Sequence, residues 1–335
     1  MNILYGIQGT GNGHISRAGA ILPELRKYAT VHTLVSGSSN ETAGGIQPDI
    51  RLHGIGFTFG KTGGIDFADT INRLRPATLL NNILDLPLEQ YDLIISDFEP
   101  VTAWAGKLRG IPVVGLSHQA AFHSARSPRP TQPQHFGELI FRKYAPADIH
   151  YGFHFETYDE GIFTPVIRNA VRDLNPTDDG HITVYLPAYS SDALLPLLTQ
   201  IERPVHLFAK HELAAGVFEN VQIYPVDNDL YLQSLESCSA LVCGAGFEAP
   251  SEALFLGKRL FCIPMSGQYE QQCNAAALQQ IGASVAKSAD NQLPEMLGAL
   301  LNEPSPEPID YPDIVPDVVE HILDIIPKKR IYAAV

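Results

Sequence analysis

The sequence predicts an α/β protein of two domains, each a mostly parallel sheet covered by helices. Three observations carry that prediction. Short apolar runs of the kind that form buried parallel strands recur along the chain and alternate with segments at helical spacing. Two of these runs, at residues 2–7 and 240–243, end in glycine turns that lead into a helix. The chain has 335 residues, more than one core ordinarily supports, and its periodicity fades around residues 165–179, where Asn175-Pro176-Thr177-Asp178-Asp179-Gly180 reads as a linker. The expected division is 1–165, 180–312 and a terminal helix with tail at 313–335.

The first strand leads into Gly9-Thr10-Gly11-Asn12-Gly13-His14, and a helix with Ile15, Ala18, Ile21, Leu22 and Leu25 on one face follows. As a dinucleotide fingerprint the loop fails. His14 stands where a third glycine belongs, and the second strand, residues 31–35, ends in Ser36-Gly37-Ser38 without an acid. Two readings stay open. Either the glycines let a sugar or acceptor approach the backbone, with His14 as a base at a helix N-terminus, or His14 merely caps the helix. The run Gly54 to Thr62 looks like a phosphate loop, but five residues rather than four separate Gly54 from Gly60. It reads as a flexible loop, with Lys61 a candidate for an anion on the acceptor side.

Residues 66–84 read as a helix and residues 91–96 as a buried strand carrying Asp97-Phe98-Glu99-Pro100 at its carboxyl end. After a helix through Trp104, the strand at 110–116 delivers Ser117-His118-Gln119 to the same edge. Ligands bind at that edge in open α/β sheets. Asp97 is the candidate to orient His14, with helix capping as its alternative; Glu99 is a rival base and His118 a rival histidine. The proline-rich stretch Ala125 to Gln134 reads as a mobile lid. A helix at 135–144 and a strand at 149–155 complete the first domain.

The second domain opens with a strand at 182–187 and Ser190-Ser191 at a helix start, suited to a phosphate or to capping. Strands at 205–209 and 221–224 follow. Asp227-Asn228-Asp229 precedes a helix and reads as a cap rather than a metal site, so no metal is expected. Ala240 to Cys243 is a buried strand ending in Gly244-Ala245-Gly246. A helix carrying Glu252 comes next, then a strand at 259–263, and a helix with Gln268, Gln271, Gln272 and Asn274. The glycine turn and helix N-terminus suit a phosphate. Glu252 suits a ribose diol, and the amides suit sugar hydroxyls. A surface helix glutamate is the plainer alternative for Glu252.

A net charge of −14 argues against nucleic acid as a partner. No leader peptide is evident at the start, no run reaches transmembrane length, and the four cysteines lack metal spacing, which together suggest a reducing cytoplasm. The last amphipathic helix, 317–326, precedes Lys328, Lys329 and Arg330, a basic tail that also suits weak peripheral membrane contact.

The pattern from Gly244 through S-E-A-L-F-L-G, I-P and Q-Y-E-Q-Q-C-N-A resembles the donor segment of GT-B glycosyltransferases. It is most similar to the lipid II-forming N-acetylglucosaminyltransferases and the UDP-glycosyltransferases. The resemblance implies a GT-B fold of two Rossmann-like domains whose parallel sheets face a cleft, and an inverting, metal-independent hexosyltransferase with a UDP-sugar as co-substrate and no other cofactor. It implies that Gly244, Ala245 and Gly246 face the diphosphate, Glu252 the ribose, Gln271 and Gln272 the sugar, and Tyr224 the base. Ser190 would assist at the phosphate. His14 would be the base, held by Asp97, with Gly11, Asn12, Gly13, Glu99 and His118 on the acceptor side. Arg259 stands where those families usually have proline, and Gln272 lies one residue nearer Asn274 than in the lipid II enzymes. The acceptor remains open between a small molecule, a saccharide and a lipid. On the same fold, a UDP-N-acetylglucosamine 2-epimerase or a non-catalytic nucleotide-sugar sensor is the alternative.

Overall fold

The computed structural model describes residues 1–10, 12–37, 46–52, 76–209 and 216–325. Gly11, the Gly54–Thr62 loop with Lys61, residues 66–75 of the expected helix, and the basic tail lie outside them. The first sheet comprises β1 (Asn2–Gln8), β2 (Thr30–Ser36), β3 (Ile50–Leu52), β4 (Leu93–Asp97), β5 (Val113–Ser117), β6 (Ile149–Phe153) and β7 (Ile162–Phe163). All pairings are parallel, in the order 3-2-1-4-5-6-7. Its helices are α1 (Asn12–Leu25), α2 (Pro76–Asp85), α3 (Pro100–Arg109) and α4 (His135–Lys143).

A short helix, α5 (Asn169–Arg172), lies between the sheets. The second sheet comprises β8 (Ile182–Tyr185), β9 (Val205–Ala209), β10 (Gly216–Phe218), β11 (Val221–Pro225), β12 (Ala240–Cys243), β13 (Arg259–Cys262) and β14 (Ser284–Val285), in the order 10-11-9-8-12-13-14. Here β10 alone runs antiparallel to its neighbour. Its helices are α6 (Ser191–Leu198), α7 (Asn228–Ser237), α8 (Glu248–Phe255), α9 (Tyr269–Gln280) and α10 (Leu293–Asn302), and α11 (Val315–Leu323) follows.

The strands form where apolar side chains must be covered on both faces. All of β4, β5 and β12 are buried, which is why they read as continuous apolar runs rather than alternating ones. In each sheet the strand order reverses once beside the first strand, between β1 and β4 and between β8 and β12. Crevices open at the carboxyl ends of such strand pairs. One crevice carries Ile7 opposite Asp97, the other Tyr185 opposite Cys243.

One apolar core runs through both halves: Ile15 and Ala18 of α1, Phe153 at the end of β6 and Phe155 just after it, Phe247 before α8, and Tyr311 near the end. Within it α11 buries Val315, Val318, Val319 and Ile322, so the last helix packs onto the first domain. Covering four such side chains contributes at most roughly 6–12 kcal/mol, enough to tie the two halves together.

The expected lid at 125–134 is instead pinned down. Arg129 lies over the Phe122 ring, donates to Phe122 O at 2.8 Å and pairs with Glu138 at 2.5 Å; Ser127 Oγ donates to Ala121 O at 2.6 Å. The four cysteines are buried free thiols. Among the described residues no helix is long and apolar enough to cross a membrane.

Candidate functional site

The two crevices open into one cleft of about 1710 Å³, lined from the first sheet by Gln8, His14 and Arg17 and from the second by Gly244, Gly246 and Glu252. His14 is the third residue of α1, and Asp97 ends β4. Their side chains meet, with His14 Nδ1 2.7 Å from Asp97 Oδ1. Asp97 is fully buried, while His14 keeps 13% of its side-chain surface toward the cleft. An ionised carboxylate only accepts hydrogen bonds, so Nδ1 carries a proton, and in the neutral ring Nε2 is the nitrogen with the free lone pair.

Arg17, one turn further along α1, completes a triad. It donates to Asp97 Oδ2 through Nε at 3.1 Å and to Oδ1 through Nη2 at 2.7 Å. Its Nη1 reaches Glu248 Oε1 of α8, 2.6 Å away across the cleft. Burial pushes the Asp97 carboxyl up, but Arg17 and His14 outweigh it and hold the group below the usual carboxylate range. Burial pulls Arg17 down, and Asp97 and Glu248 more than offset it, so the guanidinium stays charged.

On the opposite wall β12 ends at Cys243 and the chain turns through Gly244-Ala245-Gly246 into α8. A methyl group built on Gly246 would meet nothing within 4 Å, so the turn faces open space. Ala245 is fully buried, and its carbonyl accepts from Asn274 Nδ2 at 3.1 Å, which anchors the turn on α9. Glu252 lines the cleft at 6% exposure and is held by Arg168, whose Nε and Nη2 donate to its two oxygens at 2.6 and 3.3 Å. Burial raises the Glu252 pKa despite the opposing Arg168, and Glu248 adds to the rise. Gln271 also lines the cleft, its Oε1 accepting from Met265 N at 2.8 Å.

Several expected contacts fall elsewhere. Glu99 is fully buried as the N-cap of α3; its carboxylate accepts from Val101 N, Thr102 N, Thr102 Oγ1 and Ser36 Oγ. Those bonds use its lone pairs, so neither a base nor an acceptor contact fits. His118 is 1% exposed and bridges the two halves: Nδ1 lies 2.7 Å from Phe153 O, Nε2 lies 2.7 Å from Asn274 Oδ1, and its ring stacks on Phe247. Burial pulls its pKa down to about 4 although both hydrogen bonds oppose the fall. Gln272 bonds Gln134 instead of facing the cleft wall. The wall beside β8 is built by Tyr185 to Tyr189, and Ser190, next in the chain, stands at the N-cap of α6 rather than in that wall. The Tyr224 ring stacks on Phe208, and Phe208, Pro225 and Val226 supply the surface there. Gly13 lies against Glu248, and of Asn12 only its place at the start of α1 is described. Asp227 caps α7 by accepting from Asp229 N and Leu230 N, both at 3.0 Å. Among the described residues no group of three or more His, Cys, Asp or Glu is placed to hold a metal ion.

Sequence reasoning missed Arg17, Glu248, Arg168 and Glu270. The last lines the cleft and accepts from Gln119 Nε2 at 2.9 Å; burial raises its pKa. Arg17 had a signal, three residues after His14 and hence on the same helix face.

Residues 1–303 match the model of glycosyl transferase family 1. The chain belongs to that family. As a glycosyltransferase with the GT-B fold it is similar throughout its length to solved structures of low sequence identity. MurG of Acinetobacter baumannii has 15% identity and a TM-score of 0.59, covering 98% of this chain and 99% of that one. UGT89C1 of Arabidopsis thaliana, complexed with UDP, has 13% identity and a TM-score of 0.58, covering 96% and 94%. The S. aureus MnaA–UDP structure has 11% identity and a TM-score of 0.61, covering 96% and 95%. No curated protein matches the sequence.

Proposed function

We propose that this family 1 glycosyltransferase inverts the anomeric centre while moving a hexose from a UDP-sugar to a hydroxyl acceptor, with His14 as base. One observation carries the reading: an imidazole held by a buried carboxylate faces, across a single cleft, a glycine turn at a helix N-terminus. UDP bound in two similar structures, UGT89C1 and S. aureus MnaA, supports the nucleotide.

In this reading the diphosphate sits at Gly244 and Gly246, where backbone N–H groups and the α8 N-terminus favour negative charge. Glu252 accepts from the ribose hydroxyls, and Gln271 contacts the sugar. The acceptor hydroxyl gives its proton to His14 Nε2, and its oxygen bonds the anomeric carbon from the face opposite the diphosphate. The bond from that carbon to the phosphate oxygen breaks, and its electron pair leaves with UDP. Asp97 stabilises the imidazolium so formed, and the turn stabilises the departing charge. No metal ion and no further cofactor enters this scheme; nucleic acid has no part in it, and membrane contact is confined to the acceptor when that is a lipid.

The test is incubation with UDP-glucose, UDP-galactose and UDP-N-acetylglucosamine, each with a panel of lipid, saccharide and small-molecule acceptors, read by mass spectrometry. His14→Ala is expected to lose about 10²–10⁴-fold in transfer while UDP affinity holds within about twofold. Transfer equal to wild type in His14→Ala would remove the base. Epimer formed from UDP-N-acetylglucosamine alone, without acceptor, would replace the reaction class.

A further inference from the structure

We propose that Arg17 is a positioning residue that couples the His14–Asp97 pair to the donor wall through Glu248; the inference rests on the reading of His14 as base. Arg17 spends every side of its guanidinium on the site. Two nitrogens hold Asp97, one of them lying 3.1 Å from His14 Nδ1, and the third reaches Glu248 at 2.6 Å. Asp97 and Arg17 are buried, so water does not compete for these bonds, whereas Glu248 is 30% exposed and is the member free to move.

Glu248 opens α8, two residues after Gly246. Its carboxylate also closes on the N-terminus of α1: a methyl group built on Gly13 would lie 2.3 Å from Glu248 Oε2. Only glycine at position 13 lets the carboxylate reach Arg17 at this distance. A shift of the α8 N-terminus is therefore carried through Glu248 to Arg17, and through Arg17 to the carboxylate that orients the base. Other contacts between the halves, such as His118 with Asn274, hold the domains together but touch neither the base nor its carboxylate. The consequence is that Arg17 and Glu248 align base and leaving group without adding to donor affinity.

The experiment uses the full-length protein and the Glu248→Gln, Glu248→Asp and His14→Ala variants. Glu248→Gln leaves Arg17 on Asp97 and removes only the charge across the cleft. It is expected to lower kcat about 10–100-fold with the donor KM and UDP affinity within about twofold, and Glu248→Asp is expected to recover most of the loss. A second readout needs no turnover. With isotope-labelled histidine, the His14 ring resonance, assigned by its absence in His14→Ala, is expected to move when UDP is added to the wild type. In Glu248→Gln saturated with UDP it is expected to move less than half as far. An equal movement in both proteins would overturn the coupling. So would a Glu248→Gln loss that appears in KM alone. Transfer by His14→Ala at the wild-type rate would remove the base yet leave the coupling to be decided by the resonance.

Discussion

Arg168→Gln tests whether Glu252 is kept as a carboxylate by one neighbour. Glu252 is 6% exposed, and Arg168 supplies the guanidinium bound to both of its oxygens. Removing one partner of a buried pair costs about 3–5 kcal/mol. Arg168 keeps a quarter of its side chain in solvent, so about 2–3 kcal/mol is expected at pH 8. At an m-value of about 2–3 kcal/mol/M the urea midpoint falls by roughly 1 M. The pH dependence follows from the direction of the shift. Burial already raises the folded pKa of Glu252 above its ordinary value of 4.5, and losing Arg168 raises it further. Above that value the folded state binds the extra proton, so stability is lost as pH rises toward the folded pKa. The difference between variant and wild type should therefore be largest at pH 8 and shrink toward pH 5. Adding Glu252→Gln should restore most of the stability at pH 8, because no buried charge is left unpaired. Urea titrations followed by circular dichroism at pH 5, 6, 7 and 8 decide it. A loss that is constant with pH, or a double variant no more stable than Arg168→Gln, would refute the argument.

Two further outcomes follow. Gly13→Ala should displace the flexible Glu248 carboxylate rather than unfold the chain, so its kcat loss should match that of Glu248→Gln, and the double variant should be no slower; full addition of the two losses would contradict the contact. Acid should loosen the junction of the halves through His118, whose folded pKa of about 4 lies below its ordinary 6.5. That contribution is complete above pH 6.5 and is lost as pH falls toward 4, amounting to about 3 kcal/mol. Denaturation between pH 7 and 4 should show a shallower acid decline in His118→Gln than in wild type, and parallel declines would count against it.

What the sequence revealed depended on how local the cause was. The glycine turn at 244–246 and the helix start at His14 are written in neighbouring residues, and the apolar runs before them fixed both strands. Asp97 was legible because a polar residue ending a buried strand has few places to go. The same rule misled at Glu99 and His118. Both also lie just past a strand end, but Glu99 turns inward to cap α3, and His118 meets Asn274, 156 positions away. Glu248 and Arg17 are 231 positions apart, and each reads alone as an ordinary helix-surface charge. β3, β7, β10 and β14 run only two or three residues, too short for a period-two pattern to register. Arg168 lies in a stretch without periodicity, where nothing marks a side chain that will reach Glu252.

Gly246→Val gives the most direct test of the donor wall. The position faces open space and does not require left-handed backbone, so the variant should fold with the wild-type melting temperature. Its isopropyl group would occupy the volume proposed for the diphosphate. Calorimetric titration with UDP should show one site per chain in the wild type and at least about tenfold weaker binding in Gly246→Val. Equal affinity in the two proteins, or no UDP binding by the wild type, would contradict a nucleotide-sugar held at the second domain opposite His14.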